Sequence, residues 1–201
     1  DVNVDLLQDF TGEAAQLEQA LTRLRINAPG PAGPLPRVGP RGTRFFDAIY
    51  LASQEKLGPE VGRKAIVVLT DGVDAGSLVK FAQALEAAQR SDTMIYAVEL
   101  ADPEWYALNQ QYYAGSAELH KLAEETGGRT VEVRAPEKLA MAFDAIAAEL
   151  RSQYSLGYTP TDRRADGKFR KIEVRVTQSG FKVQARRCLL YTSPSPRDRT
   201  R

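Results

Sequence analysis

The chain has 201 residues, of which 43% are hydrophobic and 26% charged, an ordinary composition for a globular protein with one sizeable core. Its 27 basic and 26 acidic side chains give a net charge of +1, which argues against nucleic acid or an anionic membrane as the main partner. No apolar run reaches the roughly 18 residues that a membrane span needs, and the single cysteine, Cys188, excludes an internal disulfide and a cysteine-based zinc site.

The first part of the chain predicts a short strand, two helices and a long loop between the helices. Residues 2–6 alternate apolar and polar side chains, which is typical of an edge strand with one solvated face. Thr11 is predicted to cap a helix whose apolar residues recur at helical spacing, namely Leu17, Leu21 and Leu24. Residues 27–42 hold five prolines and four glycines and predict a loop, after which Thr43 is predicted to cap the second helix.

Strands and helices alternate through the middle of the chain. The predicted strands cover 64–70, 93–100 and 130–133, and the predicted helices begin at 77, 116 and 136. This alternation indicates βαβ units and therefore an α/β fold with a parallel sheet. The continuous apolar run over 64–70 predicts a strand covered on both faces, with Asp71 at its carboxyl end.

The pattern changes after Arg151. Residues 153–158, 169–177 and 181–185 alternate apolar and polar side chains without helices between them, and 178–180 is a hairpin signal. We therefore expect an α/β domain over 1–151 and an antiparallel β extension over 152–187. Residues 188–201 resemble the translation of a sequencing adapter and are expected to be an artefactual tail.

The end of the 64–70 strand is the place where the residues suggest ligand chemistry. Ligands of parallel α/β sheets bind beyond the carboxyl ends of the strands. Asp71 lies there, Gly72 allows a sharp turn, and Asp74 adds a second carboxylate. The hydroxyl of Thr43 can reach a similar place, and such oxygen ligands suit Mg²⁺. From spacing alone the structural alternative is favoured, in which Thr43 only caps a helix and Asp71 only caps a turn.

Five segments, in this order and spacing, resemble the von Willebrand factor type A-related domains of exported bacterial proteins: residues 41–53, 62–74, 90–100, 121–133 and 142–161. Residues 169–187 resemble the short β module that follows such domains. The resemblance implies a Rossmann-like, three-layer fold with a mostly parallel sheet and a metal-ion-dependent adhesion site. It also implies an extracytoplasmic location, periplasmic or secreted.

In that family the adhesion site holds Mg²⁺, Mn²⁺ or Ca²⁺ and binds an acidic side chain of a protein partner without catalysis. Thr43 matches the family's threonine ligand, and Asp71 matches its later aspartate. The Asp-x-Ser-x-Ser loop of the family does not occur in this sequence. Residues 1–7 correspond to the family's third strand, so we expect an N-terminally truncated fragment that lacks the first strand, first helix and second strand. Such a fragment is expected to bind the metal weakly or not at all.

Two other functions remain open, a small α/β hydrolase or nucleotide-binding enzyme and an inactive fragment. No G-x-S-x-G, Walker A or G-x-G-x-x-G motif supports an enzyme. His120, the only histidine, is interpreted as a solvated surface residue. Glu124, Glu125 and Glu132 could suggest paired carboxylates, but adjacent residues of a helix do not face one another, so acid–base pairing is not expected there. An aromatic cluster is either a packed helical excursion or a partner-facing loop: Trp105, Tyr106, Tyr112 and Tyr113.

Overall fold

A computed structural model describes residues 4–24, 43–70, 72, 74, 76–100, 116–161, 166–181 and 183–190. The helices are α1 (Ala14–Thr22), α2 (Phe45–Leu51), α3 (Phe81–Arg90), α4 (Ser116–Thr126) and α5 (Leu139–Arg151). A π-helical segment, Ala52–Leu57, continues α2, and a 3₁₀ turn, Pro136–Lys138, precedes α5. The strands are β1 (Lys64–Thr70), β2 (Thr93–Glu99), β3 (Thr130–Glu132), β4 (Phe169–Lys171) and β5 (Cys188–Leu190).

The main sheet contains β1, β2 and β3 in that order, and both pairings are parallel. Helix α3 connects β1 to β2, and α4 lies between β2 and β3 in the chain. The α/β class predicted from the alternation of apolar runs is confirmed. Because the strands are parallel, their carboxyl ends meet at one edge of the sheet.

Different helices cover the two faces of this sheet, and each packs through apolar side chains. On one face, Ile95 and Ala97 of β2 pack with residues of α2, α3 and α4. On the other face, Tyr96 and Val98 pack with Val133 and α5. The alternation of side chains along β2 is what lets one strand serve both layers.

Strand β1 is less covered than its continuous apolar sequence predicts. Val67 is 39% exposed and Leu69 is 49% exposed, while Ile66 and Val68 on the opposite face pack into the core. Helix α5 packs mainly on Tyr96, Val98 and Val133, so it does not cover the carboxyl half of β1. The prediction of a strand buried on both faces is therefore wrong, and β1 is an edge among the described strands.

The start of the chain also differs from its prediction. Residues 4–13 contain no strand, and α1 begins at Ala14, three residues after Thr11. The Thr11 hydroxyl accepts a hydrogen bond from the Glu13 amide at 3.1 Å, which forms a turn before the helix rather than its cap. The predicted apolar face of this helix faces solvent: Leu17 and Leu21 of α1 are exposed, and so is Leu24, which lies after the helix ends.

The C-terminal region forms an antiparallel pair, but with a partner other than the predicted one. Strand β4 pairs with β5, so that Phe169 lies opposite Leu190 and Lys171 opposite Cys188. The predicted strands at 153–158 and 181–185 are not formed in the described residues. The segment before β5 is bound to the end of α4 instead: Gln184 donates to the Gly127 carbonyl at 3.1 Å, and the Arg187 amide donates to Glu125. Three residues of the predicted tail thus form β5.

Candidate functional site

The carboxyl ends of the three parallel strands lie in register. Thr70 of β1 is opposite Glu99 of β2, and Glu99 is opposite Glu132 of β3. Both residues that the sequence predicts as metal ligands belong to segments near the end of β1. The same edge therefore carries two carboxylates at neighbouring strand ends, those of Glu99 and Glu132.

Thr43 is exposed and lies two residues before the first residue of α2. It does not cap that helix, because the N-cap position is Arg44 and the first amides of α2 are bound by another segment. The Phe46 amide donates to the Asp74 carboxylate at 3.2 Å, and the Asp47 amide donates to the Ser77 hydroxyl at 3.2 Å. The prediction of Thr43 as a helix cap is wrong, since the loop after β1 supplies the caps.

The loop after β1 is in turn held by a carboxylate of α2. Asp47 is buried and accepts hydrogen bonds from the amides of Leu78 and Val79, at 3.2 and 2.8 Å. Asp74 accepts from both the amide and the hydroxyl of Ser77, at 3.2 and 2.6 Å. We call Asp47, Asp74 and Ser77 the α2 clamp, because they tie the loop and the helix start to each other.

The α2 clamp shows a structural role for Asp74 and corrects one expectation from the sequence. Both carboxylate oxygens of Asp74 accept protein hydrogen bonds, so Asp74 caps α2 and orders the loop after β1, while its part in a metal site stays a prediction. Helix α3 begins at Phe81 rather than at Ser77, because Ser77 is engaged in the clamp. At the start of α3 the Lys80 amide donates to the side-chain oxygen of Gln83 at 2.9 Å. The role of Asp47 was not predicted, and its position inside an amphipathic helix offered no signal for it.

Asp71 lies outside the described residues. Its neighbour Gly72 is buried, has a φ of 85° and donates its amide to the Thr70 hydroxyl at 3.1 Å. This left-handed conformation is the sharp turn that the sequence predicted, and glycine adopts it without a steric penalty. The structure therefore brings Thr43 near the loop that follows β1, and it describes the residue on each side of Asp71.

A second group of side chains lies at the same sheet edge and was not predicted as a site. Glu99, His120 and Glu132 each place one potential ligand atom within 4.8 Å of the others. The Nε2 atom of His120 is 3.3 Å from Oε2 of Glu99, whose side chain is only 2% exposed. Glu132 is exposed and forms an ion pair of 2.9 Å with Arg134. The sequence placed all three on correct elements but could not show that β2 and β3 align them.

The predicted aromatic cluster lies in residues 101–115, outside the described part of the chain. Within the described ranges, none of the helices is both long and apolar enough to cross a membrane.

The similarity of this chain to known proteins is weak. No family model matches it, and no curated protein matches it significantly. Among solved structures, it is similar to a crystal structure described as an uncharacterized membrane spanning protein from Vibrio fischeri, with 19% identity and a TM-score of 0.35. That alignment covers 69% of this chain and 67% of the other. A similarity at this level carries no argument about fold family or function.

Proposed function

We propose that the chain belongs to a non-catalytic, metal-dependent protein-binding module of the von Willebrand factor type A kind. In this proposal Thr43 and Asp71 contribute oxygen ligands to Mg²⁺, and a carboxylate of the protein partner completes the coordination shell. Mg²⁺ suits such a site because it prefers oxygen ligands and retains waters that a partner can replace. An extracytoplasmic location, implied by the family resemblance, is part of the same proposal.

The observation that supports the proposal most is the α2 clamp. Its hydrogen bonds join residues 46 and 47, shortly after Thr43, to residues 74–79, shortly after Asp71. The clamp thus limits how far apart the two segments can move. Thr43 is exposed and is not used as a cap, so its hydroxyl is accessible to an ion and to a partner.

Metal binding by the full chain tests the first half of the proposal. Mn²⁺ can replace Mg²⁺ at oxygen sites and is detected by its effect on water-proton relaxation. We expect Mn²⁺ to bind weakly, because the Asp-x-Ser-x-Ser loop does not occur in this chain, and Thr43→Ala and Asp71→Ala each to weaken that binding by about tenfold, since each removes an oxygen that holds the ion. Asp144→Ala is the matched control, because Asp144 is exposed on α5. This variant should bind Mn²⁺ with the affinity of the wild type. Equal Mn²⁺ affinities in the wild type and both ligand variants would refute the proposed site.

Binding to carboxylates tests the second half. An array of short peptides would be probed with the labelled chain in Mg²⁺ and again in EDTA. We expect Mg²⁺-dependent binding to peptides that share an Asp or Glu, and loss of binding when that residue becomes Asn or Gln. Binding that is the same in Mg²⁺ and EDTA, or a catalysed change in the ligand, would contradict a metal-bridged, non-catalytic module.

A further inference from the structure

We infer that Glu99, His120 and Glu132 form a binding site for a divalent transition-metal ion of the Zn²⁺ type. This site is separate from the one proposed for Thr43 and Asp71, and it rests on different residues and different observations. We call these three residues the Glu–His–Glu cluster.

The backbone of the sheet places the two carboxylates of the cluster side by side. Glu99 and Glu132 are partners in the parallel register of β2 and β3, and each is the last residue of its strand. Partners on neighbouring strands lie about 4.8 Å apart and point to the same face of the sheet. Two negative charges at this spacing repel each other, and a shared cation removes that repulsion.

Helix α4 supplies the nitrogen ligand. Leu119 and Leu122, on either side of His120 in the sequence, are fully buried against the sheet face that also carries Ile95 and Ala97. This packing places α4 on the face of the sheet to which Glu99 points. Ile95, Ala97 and Glu99 occupy every second position of β2, and their side chains therefore share that face. The side chain of His120 is 41% exposed, so the imidazole lies between the buried Glu99 and solvent.

The distances of the cluster suit a metal ion. Two ligand atoms bound to one Zn²⁺ at about 2.1 Å, at a tetrahedral angle, are about 3.4 Å apart. His120 Nε2 and Glu99 Oε2 are separated by 3.3 Å. The three ligand atoms all lie within 4.8 Å of one another, so a rotation of the exposed Glu132 side chain brings the third into range.

The ligand set distinguishes this cluster from an alkaline-earth site. One imidazole nitrogen with two carboxylates favours Zn²⁺ and related first-row ions, whereas Mg²⁺ and Ca²⁺ take oxygen ligands. Three protein ligands leave the fourth tetrahedral position for water, on the side where His120 and Glu132 reach solvent. The carboxylate of Glu99 is the deepest ligand, and a bound cation would compensate its removal from water.

Arg134 is the competing cation at the cluster. Its Nη2 donates to Oε2 of Glu132 at 2.9 Å, which leaves Oε1 of the same carboxylate for a metal ion. Arg134 is itself exposed, so this ion pair is weak and can be exchanged. Removing Arg134 should therefore strengthen metal binding slightly, while removing a ligand should weaken it greatly.

The test is a Zn²⁺ titration of the full chain by calorimetry, after treatment with EDTA and dialysis. Cys188 is the single cysteine of the chain and its thiolate could bind Zn²⁺, so the titration is made in a Cys188→Ser background as well as in the wild type. Burial raises the pKa of the Cys188 thiol, which already disfavours its thiolate as a ligand. We expect one tight saturable site in both proteins, apart from any weaker binding of Zn²⁺ at Thr43 and Asp71.

The variants separate a metal site from a simple ion pair. His120→Gln and Glu132→Gln should each weaken Zn²⁺ binding by about a hundredfold, and Arg134→Gln should strengthen it by a few fold. Glu118→Gln is the matched control on α4, because Glu118 is exposed and outside the cluster. Both ligand variants change side chains that reach solvent, 41% exposed for His120 and 48% for Glu132, so the fold should be retained, which circular dichroism would check.

Two results would overturn the inference. The first is the absence of a saturable Zn²⁺ site in the folded wild type, which would leave Glu99 and His120 as an ion pair only. The second is a site whose affinity is the same in His120→Gln, Glu132→Gln and the control. Asp71→Ala should leave Zn²⁺ binding unchanged, and His120→Gln should leave the Mn²⁺ site of Thr43 and Asp71 unchanged. The two proposals can therefore fail independently.

Discussion

At the scale of single residues, Asp47 joins two segments that are about 30 residues apart in the chain. Its carboxylate is buried and accepts the amides of Leu78 and Val79, while its own amide donates to Ser77. Hydrogen bonds to a charged group contribute more than neutral ones, and a buried amide that loses its acceptor is costly. Asp47 therefore holds the loop after β1 against the start of α2.

We expect Asp47→Ala to lower the free energy of unfolding by about 2–4 kcal/mol, because two charge-assisted hydrogen bonds are lost and two amides are left unpaired. Asp47→Asn keeps one acceptor and should cost less. Urea denaturation followed by circular dichroism measures both. Asp144→Ala, at an exposed position of α5, should stay within about 0.5 kcal/mol of the wild type. A loss for Asp47→Ala no larger than this control would show that the α2 clamp is not stabilising.

At the scale of elements, the end of α4 is joined tightly to β2. The Thr126 hydroxyl donates to the Leu122 carbonyl at 2.9 Å and accepts the Ile95 amide at 3.1 Å. Gly127 has a φ of 88°, and the Gly128 amide donates to the Ala123 carbonyl at 2.9 Å. These bonds end the helix as the glycine pair predicted. They also fix the position of α4 along β2, and in this position His120 contacts Glu99.

Gly128→Ala should be severely destabilising, by about 3 kcal/mol or more, because a Cβ atom there would overlap the carbonyl group of Ile95 in β2. The backbone of a central strand cannot move aside as a flexible side chain can. Thermal unfolding of the purified variant measures the effect. Gly157→Ala is the matched control, since a Cβ at Gly157 meets nothing within 4 Å. Similar melting temperatures for the two alanine variants would contradict the close approach of α4 to β2.

At the scale of the whole molecule, the sheet has an uncovered outer region. Val67 and Leu69 of β1 are exposed on the face that α5 does not reach, and β1 is an edge among the described strands. The leucines of α1 add further exposed apolar surface. An open strand edge beside apolar side chains favours association with other chains.

We expect the chain to self-associate with rising concentration, and Leu69→Lys to reduce this, because a charge beside the open edge of β1 opposes edge-to-edge pairing. Sedimentation velocity at several concentrations measures the association. Leu156→Lys is the control, since Leu156 is exposed in a segment without regular structure. If both lysine variants associate as the wild type does, the β1 edge is not the contact surface.

The predictions from sequence differ in quality according to how local their signals are. The strand at 64–70, the turn at Gly72 and the end of α4 at Gly127 were predicted correctly, because each depends on neighbouring residues. The hairpin after β4 was wrong, because residues 184–187 bind the end of α4 instead. Asp71 and the aromatic cluster stay predictions, since they lie outside the described residues.

The sequence by itself determined the α/β class, the order of the central elements and the position of Gly72 after β1, because hydrophobic periodicity and turn residues act over short distances. Only the tertiary structure decided that Asp74 caps α2 and that Val67 and Leu69 on one face of β1 are exposed. It also decided that the side chains of Glu99, His120 and Glu132 lie close together. These features depend on strand register and on helices packing across the sheet. Such contacts join residues that are distant in the chain, and no local pattern encodes the alignment between them.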